Sequence, residues 1–359
     1  MDYEQFKSDF TEAIKEASYE RGMALNFTEQ TVEKVNTTYD ALTVMPEGSN
    51  VGMNINIQNF YENCENGASF EEAVSRAMGM IEQGLDNAPQ FNLEAFENYD
   101  LLKEKLSMEV IGIAGNESIL DRVPHHNMED MAVVYRYVVD DSPDRGATVL
   151  ITNDMVERFG ITPEQLHEDA LNNAPDFRPA VVKGMTEVMF DMMGPEAAAM
   201  GIPMVEPEDE LMFVATTPDK NHGAGVIAYQ DFMDQAAEKL GGDFFILPSS
   251  IHEVLLVKDD GSKTYQDLEA MVKEVNETQL SPEEKLTDNV YHYDSKDHVF
   301  ELAQKFEERM QDKAIDGSEK GKEKDSLLSD LAEKKQVAAA TPKKETIAPP
   351  TKNKGGDAI

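Results

Sequence analysis

Tryptophan is absent, cysteine occurs once, at Cys64, and basic residues number 32 against 70 acidic ones in a chain of 359 residues. Each scarcity closes off a class of function. One cysteine cannot build an internal disulfide framework, and it fits a reducing cytoplasm. A net charge of −38 repels phosphate backbones and anionic lipid, which disfavours direct nucleic-acid binding and membrane attachment. No stretch reaches the ~18 consecutive apolar residues of a membrane-spanning helix. The opening Met1-Asp-Tyr-Glu-Gln-Phe-Lys-Ser8 lacks the basic start and apolar core of a secretory signal. The expectation is an acidic cytoplasmic protein.

What is present is a folded body followed by a tail of different composition. The segment from Asp316 holds nine lysines against eight acidic residues, so all the excess negative charge lies before it. Rich in lysine, proline, threonine and alanine, it has too few large apolar side chains to offset the entropy of ordering it. Its one amphipathic patch, Leu327, Leu328 and Leu331, has the pattern of a helix that docks in a partner's groove. The expected organisation is an N-terminal lobe over residues 1–175, a C-terminal lobe over 176–312 and a disordered tail over 313–359.

Phe6, Phe10, Ile14 and Ala17 recur at helical spacing and predict an amphipathic helix ending near Gly22. Strands are expected over Thr31–Asn36, Ala41–Met45 and Met53–Ile57, with a turn at Pro46-Glu-Gly48. A short helix from Asn59 to Asn66, a break at Gly67 and a helix capped by Ser69 and Glu72 follow. The same order recurs: a strand over Ala147–Thr152, a short helix, Gly160, then Thr162-Pro-Glu-Gln165 as the next cap, with proline at the first helical position. Duplication of a supersecondary unit would explain the repetition. Between the two lie strands over Ser107–Ala114 and Met128–Asp140, the second linked by a hairpin through Asp140–Gly146. The methionine stripe of residues 177–193 (Met185, Met189, Met192, Met193) reads as adaptable core filler. Beyond it the pattern is β-β-α-β-β-α: strands over Leu211–Thr217 and Gly225–Ala228, a helix over Gln230–Leu240, two strands within Phe244–Val257 and a helix over Tyr265–Asn276. The fold class is α+β.

The densest apolar run, Phe244 to Val257, is interrupted by Pro248-Ser-Ser250 and carries the first candidate site, Ser249, Ser250, His252 and Glu253. A hydroxyl activated by histidine, or a histidine and a carboxylate sharing a metal, would need these groups to converge. Neighbouring strand residues point to opposite faces, which keeps His252 and Glu253 apart unless the turn runs through them. No H-E-x-x-H is present, since Leu255 and Leu256 follow Val254. The simpler reading is a polar corner whose serines bond the backbone. His125 and His126 are the candidate metal ligands, although the seven histidines have no ligand spacing. Gly223-Ala-Gly225-Val-Ile-Ala228 fits G-x-G-x-x-G/A, but Pro218–His222 separates it from the preceding strand, so a glycine-bearing hairpin loop is preferred to a nucleotide cradle. The sequence implies no cofactor.

Asn59-Phe-Tyr-Glu-Asn-Cys-Glu-Asn-Gly-Ala-Ser69, Val123-Pro-His-His126, Asp130-Met-Ala-Val-Val-Tyr135, Gly160–Asn173, Leu247-Pro-Ser-Ser-Ile-His-Glu-Val254 and Glu274–Leu280 resemble, in this order over roughly residues 3–300, segments of a bacterial domain family of unknown function common in anaerobic gut bacteria. The second half is distantly similar to another uncharacterised bacterial family in which a Pro-Asn-Arg-Asp turn stands at Pro248–Glu253, so His252 departs from that pattern. The resemblance implies a fold and a bacterial cytoplasmic setting, and no reaction. The reading is a non-catalytic binding or regulatory protein acting through protein partners. Its alternatives are a hydrolase built around Ser249–Glu253 and an acidic nucleic-acid mimic.

Overall fold

A computed structural model describes residues 1–49, 51–86, 98–140, 147–201, 205–206, 209–248 and 250–313. Ser249, the turn over 141–146 and the tail from 314, with its leucine patch, lie outside the described residues. Residues 1–303 form one compact unit, and the described part of the second, 304–313, is helical. The α+β class holds, with three sheets among the described residues and every described strand pair antiparallel. No helix of the described residues is long and apolar enough to cross a membrane.

The first sheet, β1 (Leu25–Lys34), β2 (Thr37–Pro46) and β3 (Met53–Asn56), is covered by α1 (Tyr3–Glu20), α2 (Ile57–Glu65) and α3 (Phe70–Asp86). Helix α1 starts where the Asp2 side chain accepts the Gln5 N–H at 2.9 Å. Its predicted stripe is the packed face, with Phe6, Phe10 and Ile14 no more than 2% exposed, each contributing about 1.5–3 kcal/mol by burial. The Ser69–Glu72 capping box that opens α3 forms in both directions. The expected strand over Thr31–Asn36 is displaced: β1 runs ten residues and ends before the tip, where Asn36 takes a left-handed φ of 62°. Asn36 donates to the carbonyls of Glu283 and Lys285 and exchanges hydrogen bonds with Asn116, tying the hairpin tip to two distant segments.

After α4 (Tyr99–Leu102) the second sheet is built on β6 (Met131–Asp140). One edge of β6 pairs with β4 (Leu106–Gly112); its other edge takes β5 (His125–Met128) and then β7 (Ala147–Leu150). The short α5 (Glu117–Leu120) lies between β4 and β5, and α6 (Asn153–Phe159) and α7 (Pro163–Phe177) follow β7. Gly160, at a φ of 68°, ends α6, and Thr162 caps α7 by accepting the Gln165 N–H at 3.1 Å. Alternate residues Met108, Val110, Val133 and Tyr135 join α7 in the largest core, while Ile111, Ala132 and Val134 form a smaller one on the other face.

The third sheet has the order β13-β12-β10-β11-β9-β8, with β8 (Val181–Gly184), β9 (Met212–Thr216), β10 (Phe244–Leu247), β11 (Val254–Lys258), β12 (Tyr291–Asp294) and β13 (Val299–Leu302). The predicted pairing of the Phe244–Val257 run is present, in register Phe244↔Lys258 to Leu247↔Leu255. Its first strand, β10, is apolar throughout because both faces are covered: Phe244 and Ile246 enter the largest core, and Phe245 and Leu247 pack with Leu268 and Val272 of α11 (Tyr265–Thr278).

Two expectations fail here. Gly223–Ala228 is a 3-10 turn leading to α10 (Phe232–Leu240), with no strand in it. The methionine stripe is not core: α8 (Met185–Met193), which precedes α9 (Pro195–Ala199), has no buried residue, and Met192 is 76% exposed. Sulfur-rich helical periodicity marks an apolar face without saying whether anything covers it.

Candidate functional site

Two lone charges sit inside apolar strands, Glu109 in β4 and Arg136 in β6. Glu109 is in register with Val134, so Arg136, two residues along the same face, is its diagonal neighbour and within reach of a long side chain. The Arg136 guanidinium donates through Nε to Glu109 Oε2 and through Nη1 to Thr148 Oγ1 at 3.3 Å. Glu109 is fully buried. Burial pushes its carboxyl up, but the adjacent Arg136 and His222 outweigh that and bring it down to about 2.

His222 arrives on the loop after β9, where Lys220 and His222 both hold left-handed φ values, 55° and 54°. The loop is pinned from α7's end: buried Arg178 pairs with Asp219 and donates to the Asn221 carbonyl at 3.2 Å. Asp219 also accepts from Thr217 Oγ1 at 2.8 Å. Beyond His222 the 3-10 turn lies directly on β4, since a Cβ on Gly225 would stand 2.0 Å from the Met108 carbonyl oxygen. The glycines of the G-x-G-x-x-A segment thus serve backbone-to-backbone packing and form no hairpin loop. So held, His222 Nδ1 lies 2.6 Å from Glu109 Oε1, too far out of line for a proper hydrogen bond, and both atoms are buried.

His252 completes the group. Its Nδ1 accepts the His222 backbone N–H at 3.3 Å, and the two imidazole centroids are 5.8 Å apart. Since Nδ1 accepts, neutral His252 carries its proton on Nε2 and presents a donor. Its corner is braced by Thr216 Oγ1 donating to the His252 carbonyl at 2.7 Å and by the Ile251 N–H donating to the Glu284 carbonyl at 2.9 Å. Arg136, His222 and His252 line a cleft of about 710 Å³, which Lys34, Arg122 and Glu284 also border.

Of the described residues singled out as site candidates in the sequence, only His252 lines this cleft. The Ser250 hydroxyl accepts the backbone N–H of His252 at 3.0 Å and is buried. Glu253 lines a separate cavity with Lys183 and Lys220, although the corner runs through both residues and β11 begins only at Val254. His125 is exposed, its Nδ1 3.1 Å from the Val123 carbonyl. His126 stacks on His167 in yet another cleft. Among the described residues no group of three or more His, Cys, Asp or Glu is placed to hold a metal ion.

Sequence reasoning missed Glu109, Arg136 and His222. The signal was available for the first two: an unpaired charge inside an apolar strand has to be compensated, and two strands carried charges of opposite sign. For His222 there was none, because its placement depends on the Arg178–Asp219 contact across more than forty residues of sequence. Residues 3–295 match a protein family described as "Family of unknown function (DUF5688)". No curated protein and no solved structure matches the chain.

Proposed function

Because the chain belongs to the DUF5688 family, whose description names no activity, we propose from the geometry of the site that it is a binding protein whose main cleft takes a small ligand with an acceptor-rich head, a carboxylate or a phosphate. The observation that carries this is the fully buried, ionised Glu109, bonded to Arg136 and touching His222 at the cleft wall. It neutralises the guanidinium without occupying all its N–H groups, and these with Lys34 and His252 Nε2 are the donors a head group would meet in a cleft that Glu33, Glu283 and Glu284 also border. The single cysteine supports a reducing cytoplasmic setting, and the resemblance implies a bacterial one. Protein partners belong to the same reading, with the occupied cleft as the signal they would respond to.

Titration of the full chain with citrate and with inorganic phosphate, followed by imidazole NMR, tests the proposal and separates the two head groups. Saturable shifts at His222 and His252 that disappear in His252→Ala are expected. Shifts of equal size at exposed His125 would overturn it. A second reading, hydrolysis with His222 as general base, is favoured by the Glu109–His222 contact, which sets a buried carboxylate against one ring nitrogen. Turnover of a nitrophenyl ester or phosphate that is lost in His222→Gln would put that reading first.

A further inference from the structure

The β4–β6 sheet has a second cleft, of about 390 Å³, on the face opposite Glu109. Its floor is apolar, with Met128, Val133, Leu171, Ile227, Met233 and Phe300, and three imidazoles from different elements stand around it: His126 on β5, His167 on α7 and His298 in the β12–β13 turn. We propose that this cleft is a binding site for an aromatic carboxylic acid.

The rings argue for an aromatic body. His126 and His167 are stacked at 4.6 Å with planes 12° apart, and Tyr229, Tyr293 and Phe300 also line the cleft. A planar ligand extends the stack and covers the apolar floor. The acidic head follows from how the imidazoles are held. Tyr135, almost fully buried, places its hydroxyl 2.7 Å from His167 Nδ1. Burial pushes that phenol well up, so it stays protonated and donates, leaving Nε2 to carry the ring hydrogen. His298 Nδ1 lies 2.7 Å from Asp234 Oδ1, which also accepts the Tyr293 hydroxyl. His167 and His298 are thus each oriented through Nδ1 by a protein partner, and their Nε2 atoms are left over. The one carboxylate among the described residues lining the cleft, Asp234, is already bonded to His298 and Tyr293, so the donor left for an incoming carboxylate is the His167 Nε2–H. Burial, and then His126, depress the His167 pKa; an anion reverses that effect and draws in a proton.

The test is imidazole NMR of the full chain near pH 6.5, titrated with benzoate, hexanoate and inorganic phosphate, with resonances assigned through His126→Gln, His167→Gln and His298→Gln. Benzoate is expected to shift all three saturably with a midpoint of about 1 mM, the affinity a probe of its size reaches at ordinary ligand efficiency. Hexanoate is expected to bind at least ~10-fold more weakly, as is benzoate to folded His167→Gln. Equal binding of hexanoate overturns the aromatic class, equal shifts with phosphate overturn the apolar body, and non-saturating shifts overturn the site. His222 and His252 report the other cleft separately, so failure there leaves this result readable.

Discussion

Glu109→Gln keeps the shape of the side chain and removes its charge. In the folded chain the carboxyl stands at about 2 against an ordinary 4.5, because Arg136 and His222 outweigh its burial. The folded value is the lower one, so the unfolded chain holds the extra proton between those two values. The stabilisation is therefore complete above the unfolded value and drains away as the pH falls toward the folded one. At about 1.4 kcal/mol per pH unit of difference, the ionised group contributes roughly 3 kcal/mol at pH 7, of which most remains at pH 4 and less than half at pH 3. That upper value agrees with the low end of the ~3–5 kcal/mol lost when one partner of a buried pair is removed. Glutamine imitates the protonated acid, so the gap between wild type and variant in urea unfolding should follow the same curve. A gap that stays flat between pH 3 and 7, or that is under ~1 kcal/mol at neutrality, would refute the assigned ion pair.

Gly225→Ala brings a methyl to 2.0 Å from the Met108 carbonyl oxygen, a backbone atom that cannot step aside, and should lower stability by at least ~1–3 kcal/mol in thermal melts. Arg178→Ala removes the bonds to Asp219 and the Asn221 carbonyl and frees the His222 loop. A loss of about 1–3 kcal/mol is expected, with the His222 resonance changed, whereas an unchanged resonance would show that the loop needs no such pin. His252→Ala removes one acceptor at 3.3 Å and should cost only about 1 kcal/mol by urea titration, leaving the fold intact. Met192→Ser, at a position 76% exposed, should stay within ~0.5 kcal/mol of wild type, and a larger loss would restore the stripe to the core.

Local signals carried the sequence reading well where one element decides the outcome. The α1 stripe, the Ser69–Glu72 box, the Thr162 cap with Pro163, the glycine stop at 160 and the paired run from Phe244 were all legible because each rests on neighbours within a turn or a ladder. Reading failed where distant chain decided. Gly225–Ala228 has the composition of a strand but is laid on β4 as a 3-10 turn, and β8, β12 and β13 are too short to announce themselves. The site divides the same way. His252 was visible beside its apolar run, yet the partners that give it chemical meaning, Glu109, Arg136 and His222, come from three other segments. Glu253, its sequence neighbour, faces elsewhere.

Asn36 is a fastener at the end of a long ribbon. Its amide grips two carbonyls and a second asparagine at once, while much of the ten-residue strand leading to it faces water. A saturation scan would therefore show a permissive run over Thr28–Lys34 ending in one sharp notch at position 36, where even aspartate, matching in size and in backbone tolerance, forfeits the two bonds to the Glu283 and Lys285 carbonyls.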